Sequence, residues 1–347
     1  MLHTKGYAAH SADSPLSSFQ FERREVGAKD IQIEILYCGI CHTDIHMARN
    51  DWGLTNYPIV PGHEIVGQVK KVGSDVTKFK EGDYAAVGCL VDSCRTCSSC
   101  NDGLEQYCEN GWVATYGWIE RDGKTPTYGG YSSQIVVDEH FVLKVADNLP
   151  LERVAPLLCA GITTYSPLKE WKIRKGHRLG VVGLGGLGHM AVKLAAAMGI
   201  EVTILSTSPE KEVDARQLGA QNFVLTTDEA ALASVQNYFD FIIDTVAAKH
   251  DLQLYLTTLK RDGTLILVGV PPQNLEINCM GLCFPRKRVV GSFIGGLPET
   301  QEMLDFCAEH NVLSDVEIIS MSEINDAYDR LLKGDVKYRF VIDMATL

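Results

Sequence analysis

Residues 178–205 read RLGVVGLGGLGHMAVKLAAAMGIEVTIL, and this stretch decides the fold. Arg178 to Val182 is a short apolar run of strand length. Gly183, Gly185, Gly186 and Gly188 mark a tight turn. Leu187 to Met198 is apolar and alanine-rich, which predicts a helix, and Glu201 to Leu205 predicts a second strand. Strand, glycine turn, helix and strand in that order form a βαβ unit. The glycines allow the sharp turn and let a pyrophosphate approach the helix N-terminus, where unpaired N–H groups point. A ligand-free core turn is the alternative. The motif's position, after a strand and opening a helix, favours the dinucleotide.

Working outward, the same rhythm continues. Phe239 to Val246 and Thr264 to Val270 read as further buried strands, and Val289 to Phe293 as a last one, with helical stretches between them. Residues 154–295 are therefore expected to form one α/β domain on a parallel sheet. Residues 1–153 have a different texture. Ile31-Gln32-Ile33-Glu34-Ile35 alternates as a half-buried strand does, and glycine breaks recur at Gly62, Gly67, Gly73, Gly82 and Gly88. After Pro298 come two amphipathic stretches, Glu299 to Glu309 and Ser322 to Leu332, and an apolar strand, Tyr338 to Ile342. The expected organisation is a β-rich domain of residues 1–153 and 296–347, interrupted by the α/β domain. No internal repeat or low-complexity segment stands out.

A chain of 347 residues with 46% apolar and 22% charged residues suits two globular domains. No run approaches the roughly 18 apolar residues of a membrane helix. The first twenty residues lack the basic start and apolar stretch of a secretory signal, so a cytoplasmic location is expected. With 44 acidic against 32 basic residues the net charge is −12, and no basic cluster is present. Nucleic acid and anionic membranes are poor partners for such a surface. A small-molecule substrate is the expectation.

Eleven cysteines, an odd number and mostly clustered, point to metal rather than disulfides. Cys94-x2-Cys97-x2-Cys100-x7-Cys108 places four thiols in one loop, enough to close a tetrahedron around zinc with no open position. Free surface thiols and an iron–sulfur centre are the alternatives. The surrounding Ser, Asn, Asp and Gly offer no core for the thiols to fill. A second set is scattered: Cys41, His63 and Cys159. Two cysteines and one histidine would leave a fourth position open, as a catalytic zinc requires. Spacing alone does not make that case, because a lone buried Cys or His is usually core.

Taken together, Gly62-His63-Glu64, the Cys94 to Cys108 run, Cys159 and the turn from Gly183 to Gly188 resemble the zinc-containing medium-chain dehydrogenases over essentially the whole chain. Tyr37 to Asp44 (YCGICHTD), Pro156 to Pro167 (PLLCAGITTYSP) and Asp335 to Asp343 (DVKYRFVID) are similar to the cinnamyl-alcohol-dehydrogenase branch, including its broad-range bacterial aldehyde reductases. The resemblance implies a GroES-like catalytic domain carrying two zincs and an inserted Rossmann domain carrying the cofactor. The active site would lie in the cleft between them. It implies a homodimer joined through the Rossmann domains.

Site residues follow from the resemblance. Cys41, His63 and Cys159 would hold a catalytic zinc, with Glu64 behind the metal and able to replace a ligand. Thr43 would pass on the substrate proton and His46 would relay it toward solvent, a task suited to an unperturbed pKa near ~6.5. Asp44 would fix the ring of His63; as a bare residue it could equally cap a helix. His42 and Arg339 would meet the pyrophosphate, and Thr163, Gly269 and Ser292 belong to the same cofactor set.

An NAD site usually carries an acid about 20 residues beyond the glycines, for the ribose hydroxyls. Here the strand ends at Ser206-Thr207-Ser208, with Lys211 close by. Hydroxyls and a cation suit a 2′-phosphate, hence NADP(H), although Glu210 and Glu212 flank Lys211. Trp52, Leu54, Tyr57, Leu90, Trp112, Tyr116, Trp118 and Ile294 are candidates for an apolar substrate pocket, or ordinary packing residues. The expected activity is hydride transfer between NADP(H) and primary alcohols or aldehydes, aromatic and aliphatic. An NAD-dependent polyol or secondary-alcohol dehydrogenase is one alternative, and a zinc- or redox-sensing binding protein is another.

Overall fold

The computed structural model describes residues 1–271 and 273–347. The chain divides into two compact units, Met1–Ile162 with Gly295–Leu347, and Thr163–Ile294.

In the Thr163–Ile294 unit six strands form a parallel sheet. Their order across the sheet is Asn222–Leu225, Glu201–Ser206, Arg178–Val182, Phe239–Asp244, Leu259–Leu267, Arg288–Gly291. Numbered along the chain this is 3-2-1-4-5-6, the doubly wound order. The order reverses between Arg178–Val182 and Phe239–Asp244. Both strands are buried along most of their length, as strands covered on both faces must be. Phe239, Ile242, Leu256, Leu259 and Leu265 form the centre of one core cluster with no solvent exposure. Each such side chain contributes roughly 1.5–3 kcal/mol by burial. Asn222–Leu225 was not anticipated, because four residues beginning with Asn carry little periodic signal.

The glycine turn has two positions that only glycine can fill. Gly183 has φ +85°, in the left-handed region. A Cβ on Gly188 would sit 2.2 Å from the carbonyl oxygen of Gly183. The helix that follows runs Gly186–Ala197.

In the other unit the strand Asp30–Gly39 is the hub of a seven-stranded sheet. It pairs antiparallel with Ile65–Val72, with Gln134–Asp138 and with Arg339–Asp343. Val316–Ser320 adds in parallel to Arg339–Asp343. The C-terminal strand thus returns to the N-terminal sheet. Three chain segments end side by side as a result: Gly39 N–H donates to Glu64 O at 3.0 Å, and Ile40 N–H to Phe340 O at 2.9 Å. Cys41, Glu64 and Arg339 are brought together by this pairing. Among the described residues no helix is long and apolar enough to cross a membrane.

Candidate active site

One ligand atom each from Cys41, His63, Glu64 and Cys159 lies within 4.8 Å of every other, and all four residues are buried. The sulfurs of Cys41 and Cys159 are 3.8 Å apart. That is far beyond a disulfide bond of about 2.04 Å. It equals the edge of a tetrahedron, about 3.8 Å, built on zinc–sulfur distances of about 2.3 Å. The hydrogen bond from Cys159 pulls the Cys41 thiol well below its ordinary pKa, and the nearby Arg339 and His63 add to this. Glu64 is fully buried and paired with Arg339, itself 3% exposed. Its second oxygen, Oε2, has no hydrogen-bond partner among the described residues. An orphaned carboxylate oxygen in a dry interior is costly. Glu64 belongs to the cluster, so the donor set and its unpaired carboxylate oxygen together suit a zinc ion.

The helix His42–Ala48 follows Cys41 and divides its faces. Thr43 and His46, three residues apart, share one face. Asp44 on the other has no solvent exposure. Its Oδ2 accepts from Cys41 N–H at 2.9 Å and from the Tyr131 hydroxyl at 3.2 Å. Its Oδ1 accepts from Gly62 N–H at 3.1 Å and from His63 Nδ1 at 3.1 Å. Asp44 therefore both closes the helix start and fixes the imidazole, leaving His63 Nε2 for a metal. The Thr43 hydroxyl lies 3.6 Å from Cys41 Sγ. His46 Nδ1 contacts Asp51 Oδ2 at 2.7 Å, and Trp52 packs on the ring at 5.0 Å between centroids.

Cys94, Cys97, Cys100 and Cys108 gather with their sulfurs within 4.8 Å of one another, and all are free thiols. Cys94 and Cys100 sulfurs are 3.9 Å apart, again close to a tetrahedral edge. Backbone N–H groups of Thr96 and Cys97 point at Cys94 Sγ at 3.5 and 3.3 Å, and Glu109 N–H points at Cys97 Sγ at 3.4 Å. Such donors suit thiolates. Every ligand is supplied by the chain, so this site is closed.

At the glycine turn, a Cβ added to Gly185 would meet no atom within 4 Å. The chain leaves open space there, above the helix N-terminus, which fits an approaching pyrophosphate. Gly269 and Ser292 stand just past two other strand ends on the same edge of the sheet, although a Cβ on Gly269 would meet the Val246 carbonyl oxygen at 2.4 Å. Thr163 is buried in the helix Ala160–Glu170, and His42 is exposed at the start of its own helix. Ser206 is 6% exposed and its hydroxyl accepts from Ser208 N–H at 3.1 Å. Thr207 is exposed. Lys211 Nζ donates to the Leu184 carbonyl of the turn at 3.1 Å. Glu212 is engaged by Arg216 at 2.8 Å, which leaves Lys211 less opposed than the bare sequence suggests.

The pocket candidates separate. Trp112 and Trp118 stack on each other at 5.6 Å, so they act as one surface. Tyr116 is buried and stacks on His63 at 5.8 Å, and Tyr57 donates to the Ala48 carbonyl at 2.8 Å. Leu90 and Ile294 are buried, and Leu54 is 59% exposed. Sequence reading missed Asp51 and Tyr131. Asp51 is five residues from His46 and was within reach of inspection. Tyr131 is 87 residues from Asp44, and no local pattern marks it.

Comparison with known proteins agrees with this architecture. Residues 27–147 match the family model described as alcohol dehydrogenase GroES-like domain, and residues 186–309 match that described as zinc-binding dehydrogenase. NADP-dependent alcohol dehydrogenase C 1 of Mycolicibacterium smegmatis is 54% identical, over 100% of this chain and 99% of that protein. A cinnamyl alcohol dehydrogenase from Sorghum bicolor superposes with a TM-score of 0.96 at 46% identity, covering 99% of this chain and 98% of its own. The CAD of Helicobacter pylori, solved in complex with NADP(H), superposes with a TM-score of 0.93 at 45% identity, covering 99% of each chain.

Proposed function

Because the chain belongs to the zinc-containing alcohol dehydrogenase family, we propose that it interconverts primary alcohols and aldehydes, aromatic and aliphatic, with NADP(H). The observation that carries the reading is the buried Cys41–His63–Cys159 cluster, with Glu64 beside it and the Thr43–His46 helix face next to Cys41. When bound, zinc polarises the substrate oxygen and the nicotinamide gives or takes the hydride. The chain's own residues do the rest. Cys41, His63 and Cys159 hold the metal, and Asp44 keeps His63 in the tautomer that leaves Nε2 free. Thr43 positions a hydroxyl for the substrate proton. Asp51 orients His46 through Nδ1, so that Nε2 can take up or release that proton. Gly183, Gly185, Gly186 and Gly188 admit the pyrophosphate, and Ser206, Thr207, Ser208 and Lys211 face the 2′-phosphate. Steady-state turnover of benzaldehyde and a short aliphatic aldehyde with NADPH tests the reading; no oxidation of NADPH with either would overturn it.

The proton path has its own test. His46→Gln is expected to slow alcohol oxidation at neutral pH on the order of 100-fold, the usual contribution of a positioned acid–base group. The deficit should shrink at alkaline pH, where hydroxide takes the proton directly. An unaltered pH–rate profile removes His46 from the mechanism.

We also read the protein as a cytoplasmic homodimer joined through the Thr163–Ile294 units. Among the described residues the strand Arg288–Gly291 ends the parallel sheet. Phe284, Met280 and Val270, within that unit, are 80%, 62% and 59% exposed. An unpaired sheet edge and exposed large apolar side chains favour a second copy. Light scattering should return twice the 38.2 kDa chain mass, and a monomer at micromolar concentration contradicts this.

A further inference from the structure

Asp244 ends the strand Phe239–Asp244 with no solvent exposure. It is in register with Val182, the residue before Gly183, at the point where the strand order of the parallel sheet reverses. Dinucleotide phosphates collect at such switch points. A buried carboxylate left unpaired there would oppose them.

The loop that follows supplies a partner. His250 Nε2 lies 2.7 Å from Asp244 Oδ2, and His250 Nδ1 lies 2.8 Å from the Ala248 carbonyl oxygen. A carbonyl oxygen and an ionised carboxylate can only accept. Val246 N–H also donates to Asp244 Oδ1 at 3.1 Å. With Asp244 ionised, both ring nitrogens of His250 carry hydrogen and the ring is an imidazolium. The loop lies against the glycine turn. Thr245 donates its hydroxyl to the Val182 carbonyl at 2.7 Å, and a Cβ at Gly183 would come 3.2 Å from that same hydroxyl. The Asp244 carbonyl in turn accepts from Val268 and Gly269 N–H at 3.0 Å each.

We propose that His250 is a charge lock on the cofactor site: as an imidazolium it cancels the charge of Asp244, pins the loop 245–250 against the glycine turn, and so sets the affinity for the dinucleotide. His250 is a positioning residue that acts through Asp244, and the inference rests on reading the glycine turn as a dinucleotide site. The ionisable groups around the ring are Asp244 on the strand, Asp251 at the head of the helix Leu252–Thr258, and Tyr255 on that helix. Lys249 precedes it on the loop and is exposed. The hydrogen bond to Asp244 raises the ring's pKa, against burial, with the Ala248 carbonyl adding to the rise. Burial pushes Tyr255 up to about 12, so it stays neutral. A raised pKa means that the lock stays closed to a higher pH than a free imidazole would allow and opens as pH climbs through it.

Fluorescence titration of the zinc-loaded enzyme with NADPH, carried from neutral pH upward into the alkaline range, tests this. The wild-type Kd should rise about tenfold across the range, the scale of one hydrogen bond to a charged group. His250→Gln should bind about tenfold more weakly at pH 7 and show no pH trend, on the same scale. Adding Asp244→Asn to His250→Gln should restore binding to within about twofold of wild type at pH 7, because no carboxylate is left to cancel. In ¹⁵N-histidine-labelled free enzyme, His250 should show two protonated ring nitrogens at pH 7. His250→Gln binding with wild-type affinity, or a double variant no better than the single, overturns the lock alone. A wild type that binds no NADPH overturns the dinucleotide reading and the lock with it.

Discussion

Cys159→Ser is expected to lower turnover by about 1000-fold or more while the protein stays folded. A bound metal contributes several kcal/mol of charge stabilisation to a carbonyl reaction, and about 4 kcal/mol is three decades of rate. Elemental analysis should find about two zincs in the wild type and about one in the variant, from one closed and one open site. Cys100→Ser provides the contrast. Cys100 belongs to the closed set, whose sulfurs gather in a short loop with few buried apolar residues of its own. Metal binding in such loops is folding free energy, about 10–16 kcal/mol in isolated zinc peptides. This variant should therefore lose soluble yield and melting temperature first, and activity only as a consequence. Wild-type turnover in Cys159→Ser with one zinc missing would mean that the two clusters have been assigned the wrong roles.

Ser206→Asp should reverse the cofactor preference. The wild type is expected to favour NADPH over NADH by about 100-fold in kcat/KM. Two hydrogen bonds to a charged phosphate, at roughly 1.5–3 kcal/mol each, suffice for that. Ser206 is nearly buried at the end of its strand, and its hydroxyl already accepts from Ser208 N–H, so its proton is left to donate outward. An aspartate there repels the 2′-phosphate and accepts from ribose hydroxyls instead. The change should fall mainly on KM for the cofactor. Equal use of NADPH and NADH by the wild type would sink the argument and revive the NAD-dependent alternative.

The fold class was legible because its signals are local. The run from Arg178 to Leu205 alternates strand, turn and helix within 28 residues, and each glycine's role is decided by backbone geometry at that position. The closed thiol cluster was legible for the same reason: its spacing is short enough for one loop to close on a metal. The open cluster was not. Cys41 and Cys159 are 118 residues apart, and no periodicity links them; resemblance alone brought them together in the sequence reading.

Tertiary structure decided matters of environment. Hydrogen-bond geometry gave Asp44 two tasks, at the helix start and on the His63 ring, where the bare residue allowed either. Strand pairing set Arg339 against Glu64, a contact across 275 positions that leaves one carboxylate oxygen unpaired. Within the helix Glu212–Leu218 one turn places Glu212 on Arg216, and the loop after Phe239–Asp244 sets His250 between two acceptors. By itself the sequence determined which chemical groups the chain carries and which segments fold over short range, since those follow from residue type and spacing. Only the tertiary structure decided which groups face one another and which lose their water, because burial and partner choice depend on chain segments far apart in sequence.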